Sequence, residues 1–249
     1  MHDLFENKKR ISIIIPTLNE EKLIERSLSQ FTEEIKQTYN IEVIVSDGGS
    51  KDSTIEISKK YADRLILHTE KFPQNISQGR NAGAKFSQRD VLIFLNADTI
   101  IKDIELFFSE LLTDTADENI AAVACTIEVF PDERKLSDTL FHGFYNNYTA
   151  MLNRFFMGMG RGECHIIPRK NFILANGYDE KLAAGEDFDL YKRLRKFGKI
   201  KFRRDLVIYE SPRRYRKLGY PRVIWDWGKN SVSVFLFKKS ISREWEAVR

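Results

Sequence analysis

The chain has 249 residues, of which 42% are hydrophobic and 31% charged, with a formal net charge of +4. This is enough apolar material for a full globular core and too much for a disordered chain. Two cysteines, Cys125 and Cys164, exclude a disulfide scaffold and suit a reducing compartment. With no run of about 18 apolar residues and no apolar core of a signal peptide in the first ten, a cytoplasmic protein without a membrane-spanning helix is expected.

In chain order, Ile11 to Ile15 is an apolar β-branched run of strand length, stopped by Pro16. Asn19 reads as an N-cap followed by Glu20 and Glu21 in a first helical turn. Ile24, Leu28, Phe31 and Ile35 then give that helix one apolar face. Ile41 to Val45 is a second strand, Asp47 to Ser50 a tight turn, and Asp52 to Tyr61 a short helix. A third strand is expected over Arg64 to His68, a helix over Ile76 to Phe86 and a fourth strand over Val91 to Leu95, ending at Asn96-Ala97-Asp98. Alternating strands and helices with continuously apolar strands predict an α/β fold around a mostly parallel sheet covered on both faces. Ligands of such sheets bind at the carboxyl ends of the strands, so the polar loops after Ile15, Val45 and Leu95 mark the expected site.

The second half is less regular. A long strand is expected over Ala121 to Phe130, an aromatic-rich helix over Lys135 to Phe156, a flexible loop over Met157 to Gly162 and a short strand over Cys164 to Ile167. Gly185 introduces a helix on which Leu190, Leu194 and Phe197 share a face, with Gly198 as its C′ residue. Short strands near Lys199–Phe202 and Leu206–Tyr209 precede a basic, aromatic segment. No linker separates the halves, so one domain with two lobes is expected over residues 1–210, followed by a helical segment over 211–249.

The acidic loops carry the chemistry. A carboxylate such as Asp98 at a strand end can hold Mg²⁺ or Mn²⁺ together with substrate phosphates; it can equally cap a helix. Asp47 on the neighbouring loop can accept hydrogen bonds from a base or ribose, and the glycines after it permit close backbone approach. Glu186 and Asp187 at a helix start suit proton acceptance or ligand binding. Arg80 and Asn81 can reach a phosphate. No Walker A or G-x-G-x-x-G loop is present, which weakens ATPase and dehydrogenase readings. The four histidines lack metal-ligand spacing.

Five segments in order, Ile13-Ile-Ile-Pro-Thr-Leu-Asn-Glu-Glu21, Val45-Ser-Asp-Gly-Gly-Ser-Lys-Asp-Ser53, Gly79-Arg-Asn-Ala-Gly83, Phe94-Leu-Asn-Ala-Asp98 and Gly185-Glu-Asp187, resemble the family 2 glycosyltransferases of GT-A fold over roughly residues 10–210. The resemblance implies transfer from a nucleotide-diphosphate sugar to a hydroxyl acceptor, with inversion and a divalent cation, Mg²⁺ or Mn²⁺. It puts residues 10–120 in a nucleotide-sugar lobe and 121–210 in an acceptor lobe. Pro16, Thr17, Asn19 and Glu20 would line the nucleotide pocket, Asp47 and Gly48 would meet the base, and Arg80 and Asn81 would lie near the ribose or diphosphate. Asn96-Ala97-Asp98 stands at the family's D-x-D position, with Asp98 the metal ligand, and Asp187 stands at that of the catalytic base, with Glu186 supporting it or binding the acceptor. Arg213 and Arg214 would clamp the diphosphate or remain surface charges.

The sequence departs from the family pattern in having Asn96 for the first D-x-D acid and no histidine after His165; Glu210 lies near the place where such families often carry a metal-binding histidine. The turn Ser46-Asp-Gly-Gly-Ser50 and the later Ser211-Pro-Arg-Arg-Tyr215 resemble a small bacterial subgroup with poorly defined acceptors. A sugar nucleotidyltransferase and a non-catalytic nucleotide-sugar-binding protein with a decayed site are the alternatives.

Charge is uneven along the chain. Residues 199–249 hold 14 Lys and Arg against 5 Asp and Glu, and the other 198 residues 26 against 31. An acidic body with a basic tail points to an anionic partner at the C-terminal end: phosphate, nucleic acid or an anionic membrane. The transferase reading favours no nucleic acid. Val223, Ile224, Trp227, Val234, Phe235 and Phe237 among basic residues allow an interfacial helix on the inner face of the membrane, suiting a lipid-linked acceptor. A helix packed on the body or on a second copy in a homodimer is the other reading.

Overall fold

A computed structural model of the chain describes residues 10–241. Eight strands form one sheet in the order β3-β2-β1-β4-β7-β6-β8-β5. Its first half is β1 (Ile11–Thr17), β2 (Ile41–Asp47), β3 (Arg64–Leu67) and β4 (Val91–Leu95), all parallel. Every residue of β4 is buried, as are Ile11, Ile13, Ile14 and Ile15 of β1, because helices cover both faces of the sheet. Thus β1 does not stop at Pro16; it pairs with β2 through Thr17.

Beyond β4 come β5 (Thr99–Ile101), β6 (Ile120–Val129), β7 (Cys164–Pro168) and β8 (Lys199–Glu210). The strand β7 runs antiparallel to β4 and β6, and β5 antiparallel to β8, while β6 and β8 are parallel. Six strands therefore point one way and two the other. The two short strands expected after Gly198 are one long β8; between Arg203 and Val207 its register against Cys125 and Thr126 of β6 slips, and that irregularity reads in sequence as a gap. Cys125 and Cys164 lie side by side in the core, Sγ to Sγ 3.9 Å.

The helix expected through Ile24 and Ile35 is two, α1 (Ile24–Leu28) and α2 (Glu33–Tyr39). Between them the Gln30 side chain accepts from Ile101 N–H at 2.9 Å and donates to Ser27 O at 2.6 Å, and Thr32 caps α2. Asn19 is not an N-cap. Its φ is +52°, its N–H donates to Ser50 Oγ and its Oδ1 accepts from Lys51 N–H, both at 2.7 Å, joining the loops after β1 and β2. The remaining helices are α3 (Thr54–Tyr61), α4 (Ile76–Phe86), α5 (Ile104–Ala116), α6 (Leu136–Phe155), α7 (Arg169–Leu174), α8 (Glu186–Leu194), α9 (Arg213–Leu218) and α10 (Tyr220–Phe237). Gly198 is not the C′ residue of α8, which ends at Leu194; it leads into β8, and Phe197 is substantially exposed.

The loop after α6 is packed rather than loose. A Cβ at Gly158 would come within 2.2 Å of Tyr191 O, and one at Gly160 within 2.3 Å of the Tyr191 ring. The glycines thus let the loop lie against α8, and Met159 and Arg161 are buried.

Candidate active site

The carboxyl ends of β1, β2 and β4 open into a cavity of about 590 Å³, closed on the far side by α8, α9, α10 and the 159–163 loop. This is where open α/β sheets place their ligands.

On the β1–β2 side, Pro16, Thr17, Glu20 and Gly48 line the cavity. Asp47 does not: its carboxylate is fully buried. Oδ1 accepts from the N–H groups of Gly49 and Ser50 at 2.9 and 2.8 Å, and Oδ2 from the hydroxyls of Thr17 and Ser50. It builds the turn that presents Gly48, and it stands behind the cavity wall rather than on it. Asn19 and Asn81 also lie off the cavity wall. Asn81 ties α4 to the 178–180 turn, exchanging hydrogen bonds with the backbone of Tyr178 at 2.9 and 3.0 Å and donating to Glu180.

At the centre, Asn96, Ala97 and Asp98 line the floor. Arg80 reaches it from α4, wholly buried. Its guanidinium donates to Glu186 Oε1 at 2.9 Å, Asn96 Oδ1 at 3.1 Å and Gly162 O at 2.6 Å. Arg80 is thus the internal brace between β4, the 162 loop and α8, it borders the cavity, and Glu186 is its ion-pair partner.

The acids divide into two groups. Gly185, at φ +77°, turns the chain into α8, setting Glu186 against Arg80 and Asp187 along the cavity wall. Asp187 Oδ1 accepts from Phe188 N–H at 2.7 Å. Among the described residues it forms no ion pair within 4 Å. Burial, reinforced by the neighbouring Glu186 carboxylate, pushes its carboxyl up to about 7. Across the cavity, Arg213 grips Glu20 with two bonds of 2.8 and 2.9 Å and stands 3.2 Å from Asp98. Burial raises the Asp98 carboxyl to about 6; Arg213 opposes that shift, and Glu20 and Glu163 add to it. Arg214 also lines this side.

The sequence reading marked Glu210 but not the group to which it belongs. Arg161, buried, donates to Glu163 and Glu210 at 3.1 Å each and meets His142 Nδ1 at 3.2 Å, while the Tyr215 hydroxyl donates to Glu210 at 2.9 Å. Burial, with Arg161 beside it, lowers His142 to about 3, so the imidazole is neutral. Burial and the Glu163 carboxylate raise Glu210 well above the ordinary range. Glu163, Glu210, Arg161 and Tyr215 all border the cavity. They come from three elements, the 159–163 loop, β8 and α9, and the local signals were the glycine-rich loop around Arg161 and the Ser211–Tyr215 motif.

The described residues hold no cluster of three histidine, cysteine or acidic side chains arranged for a metal ion. What the floor offers is one carboxylate, Asp98, facing a space large enough for phosphates. That set fits Mg²⁺ or Mn²⁺, which commonly take one or two protein carboxylates plus substrate phosphates and water.

Residues 12–174 match the model of the family described as glycosyl transferase family 2. The chain belongs to that family. It is 31% identical over 93 residues to validoxylamine A glucosyltransferase of Streptomyces hygroscopicus subsp. limoneus, a match covering 36% of this chain and 20% of that enzyme. The chain thus spans about a fifth of the length of the curated relatives it matches. Among solved structures it resembles the mannosyltransferase PcManGT from Pyrobaculum calidifontis in complex with GDP-Man and Mn²⁺, with a TM-score of 0.65 at 20% identity over 83% of this chain and 58% of that one. It also resembles glucosyl-3-phosphoglycerate synthase from Mycobacterium tuberculosis in complex with Mn²⁺, UDP and glucosyl-3-phosphoglycerate, with a TM-score of 0.58 at 17% identity over 92% and 79%. These likenesses establish the GT-A fold.

Proposed function

We propose that the protein transfers a sugar from a nucleoside-diphosphate sugar to an acceptor hydroxyl by single displacement with inversion, and that Asp187 is the base. The observation that carries this reading is the division between the two acids at the start of α8. Glu186 is spent on Arg80 at 2.9 Å, whereas Asp187 borders the cavity with no ion pair within 4 Å among the described residues and has its carboxyl raised to about 7. A base titrating near the working pH is the most effective one.

In this reading Asp187 takes the proton of the acceptor O–H as that oxygen bonds to the anomeric carbon from the face opposite the nucleotide. The bond from that carbon to the diphosphate oxygen breaks, its electron pair leaves with the nucleoside diphosphate, and no bond to the enzyme forms. Pro16, Thr17 and Gly48 hold the nucleoside side, and Ala97 lies on the floor beneath it. Arg213 and Arg214 give the leaving diphosphate cationic neighbours. Held by Asp98 and the donor phosphates, a divalent cation would supply further positive charge at the leaving group. The complexes of PcManGT with GDP-Man and Mn²⁺ and of the mycobacterial synthase with UDP and Mn²⁺ support this assignment.

The test is a thermal-shift titration with UDP, GDP and their sugars, with and without Mn²⁺. A metal-dependent rise with one nucleotide is expected, followed by release of that nucleoside diphosphate on turnover. Asp98→Ala is expected to weaken Mn²⁺-dependent nucleotide binding by about tenfold or more. Unchanged affinity in that variant would remove Asp98 as the metal ligand, and release of pyrophosphate would point to a nucleotidyltransferase.

A further inference from the structure

The apolar residues of the C-terminal segment divide between two faces. Val223 and Val234 of α10 are buried, and Trp227 packs on Tyr145 and Phe141 of α6, ring centres 5.4 and 6.1 Å apart. This part of the segment packs on the body, one of the two readings of its sequence. Ile224, Trp225, Val232 and Leu236 of the same helix are each more than half exposed.

The partner helix α6 repeats the pattern. Phe141, His142, Asn146, Thr149, Leu152 and Asn153 face inward. Leu136, Leu140, Phe144, Tyr148, Met151 and Phe155 follow at spacings of four and three, so they share the opposite face; their exposures run from 39% to 76%. The stripe runs about 28 Å along the helix, with Phe144 and Tyr148 stacked at 6.4 Å. A water-facing helix of a globular protein does not normally carry an apolar row of this length.

Charge identifies what covers it. Of the eight Lys and Arg in residues 211–241, Arg213 and Arg214 line the cavity and Arg216 pairs with Asp138; the other five, Lys217, Arg222, Lys229, Lys238 and Lys239, accompany a single acid, Asp226, 2.9 Å from Lys229. Lys135 and Arg154 stand at the two ends of α6. Aromatic and aliphatic side chains bordered by basic ones are the composition of helices that lie in the interface of an anionic bilayer. A second copy of the chain would bring two like-charged faces together. No helix among the described residues is long and apolar enough to cross a membrane, so the contact is one of surface apposition.

We propose that the outward faces of α6 and α10 together form a docking surface for an anionic lipid bilayer. The proposal does not rest on the transferase reading, and its test reads no transfer. The full chain is floated with vesicles of phosphatidylcholine alone and of phosphatidylcholine mixed with phosphatidylglycerol. Binding to the mixed vesicles is expected, weaker by about tenfold or more on neutral ones and weakened by salt. Leu140→Glu with Phe144→Glu is expected to cut binding about tenfold or more while circular dichroism and the thermal midpoint hold, because both positions face solvent. Lys238→Gln with Lys239→Gln is expected to cut it by about fivefold per charge. Intact chain that stays unbound overturns the proposal, as does equal binding to neutral vesicles or by the Leu140/Phe144 variant. A dimer that this variant dissolves, with no flotation of the intact chain, would assign the face to a second copy instead.

Discussion

Asp187→Asn is expected to lower the transfer rate by about 10²- to 10⁴-fold, the usual contribution of a positioned base, while nucleotide binding persists and the thermal midpoint rises. The rise follows from linkage. The carboxyl titrates near 7 in the folded chain against 3.8 as an ordinary aspartate, so the native state holds the extra proton between those values. Ionising it costs stability as pH climbs through that window. An amide removes that cost, and the gain in midpoint is largest above pH 7. In the parent, kcat/KM is expected to climb with pH to a plateau, with its midpoint near 7, because the base must be unprotonated. Rates and melting curves between pH 5 and 9 test all three. A variant that keeps its activity, or loses nucleotide binding together with transfer, would dismiss Asp187 as the base.

Arg80→Ala carries the largest expected loss of stability. It leaves Glu186 buried without its guanidinium and strips a donor from both Asn96 Oδ1 and Gly162 O. Breaking a buried pair in this way costs about 3–5 kcal/mol, a fall of about 6–20 °C in midpoint for a chain of this size. Combining it with Glu186→Gln should cost less than the two single changes added together, because the second removes the stranded charge. Urea unfolding of the three variants measures this cycle. A single-variant loss below about 1 kcal/mol would show the brace to be solvated and of little consequence.

Arg80 and Asp47 also mark where sequence reading reaches its limit. Both are legible as polar groups at the carboxyl ends of strands, and the structure puts both beside the cavity. In sequence each looks like a ligand-binding group; in three dimensions Asp47 accepts from four protein donors and Arg80 donates to three acceptors, one as distant as Glu186. The strands β1, β2 and β4 were legible because burial on both faces makes them mostly apolar, β4 throughout. The break between α1 and α2 was not, since the apolar spacing runs across it and the cause is Gln30 reaching Ile101. The strand β5 and the helix α7 are too short to leave a periodic signal. The pairing of Arg161 with Glu163 and Glu210 joins a loop to the end of β8, 49 residues away, and no local pattern announces it.

The family match ends at residue 174, before Glu186, Asp187, Glu210 and Arg213. The cavity therefore draws its lining both from the matched stretch and from residues beyond it. The loops after β1, β2 and β4 are tied to the sheet's core, where a change of backbone disturbs many neighbours. The far wall hangs from α8, α9 and α10, whose contacts with the sheet are fewer. Substitutions in the far wall can therefore reshape that side of the cavity while leaving the loops at the sheet's edge as they stand.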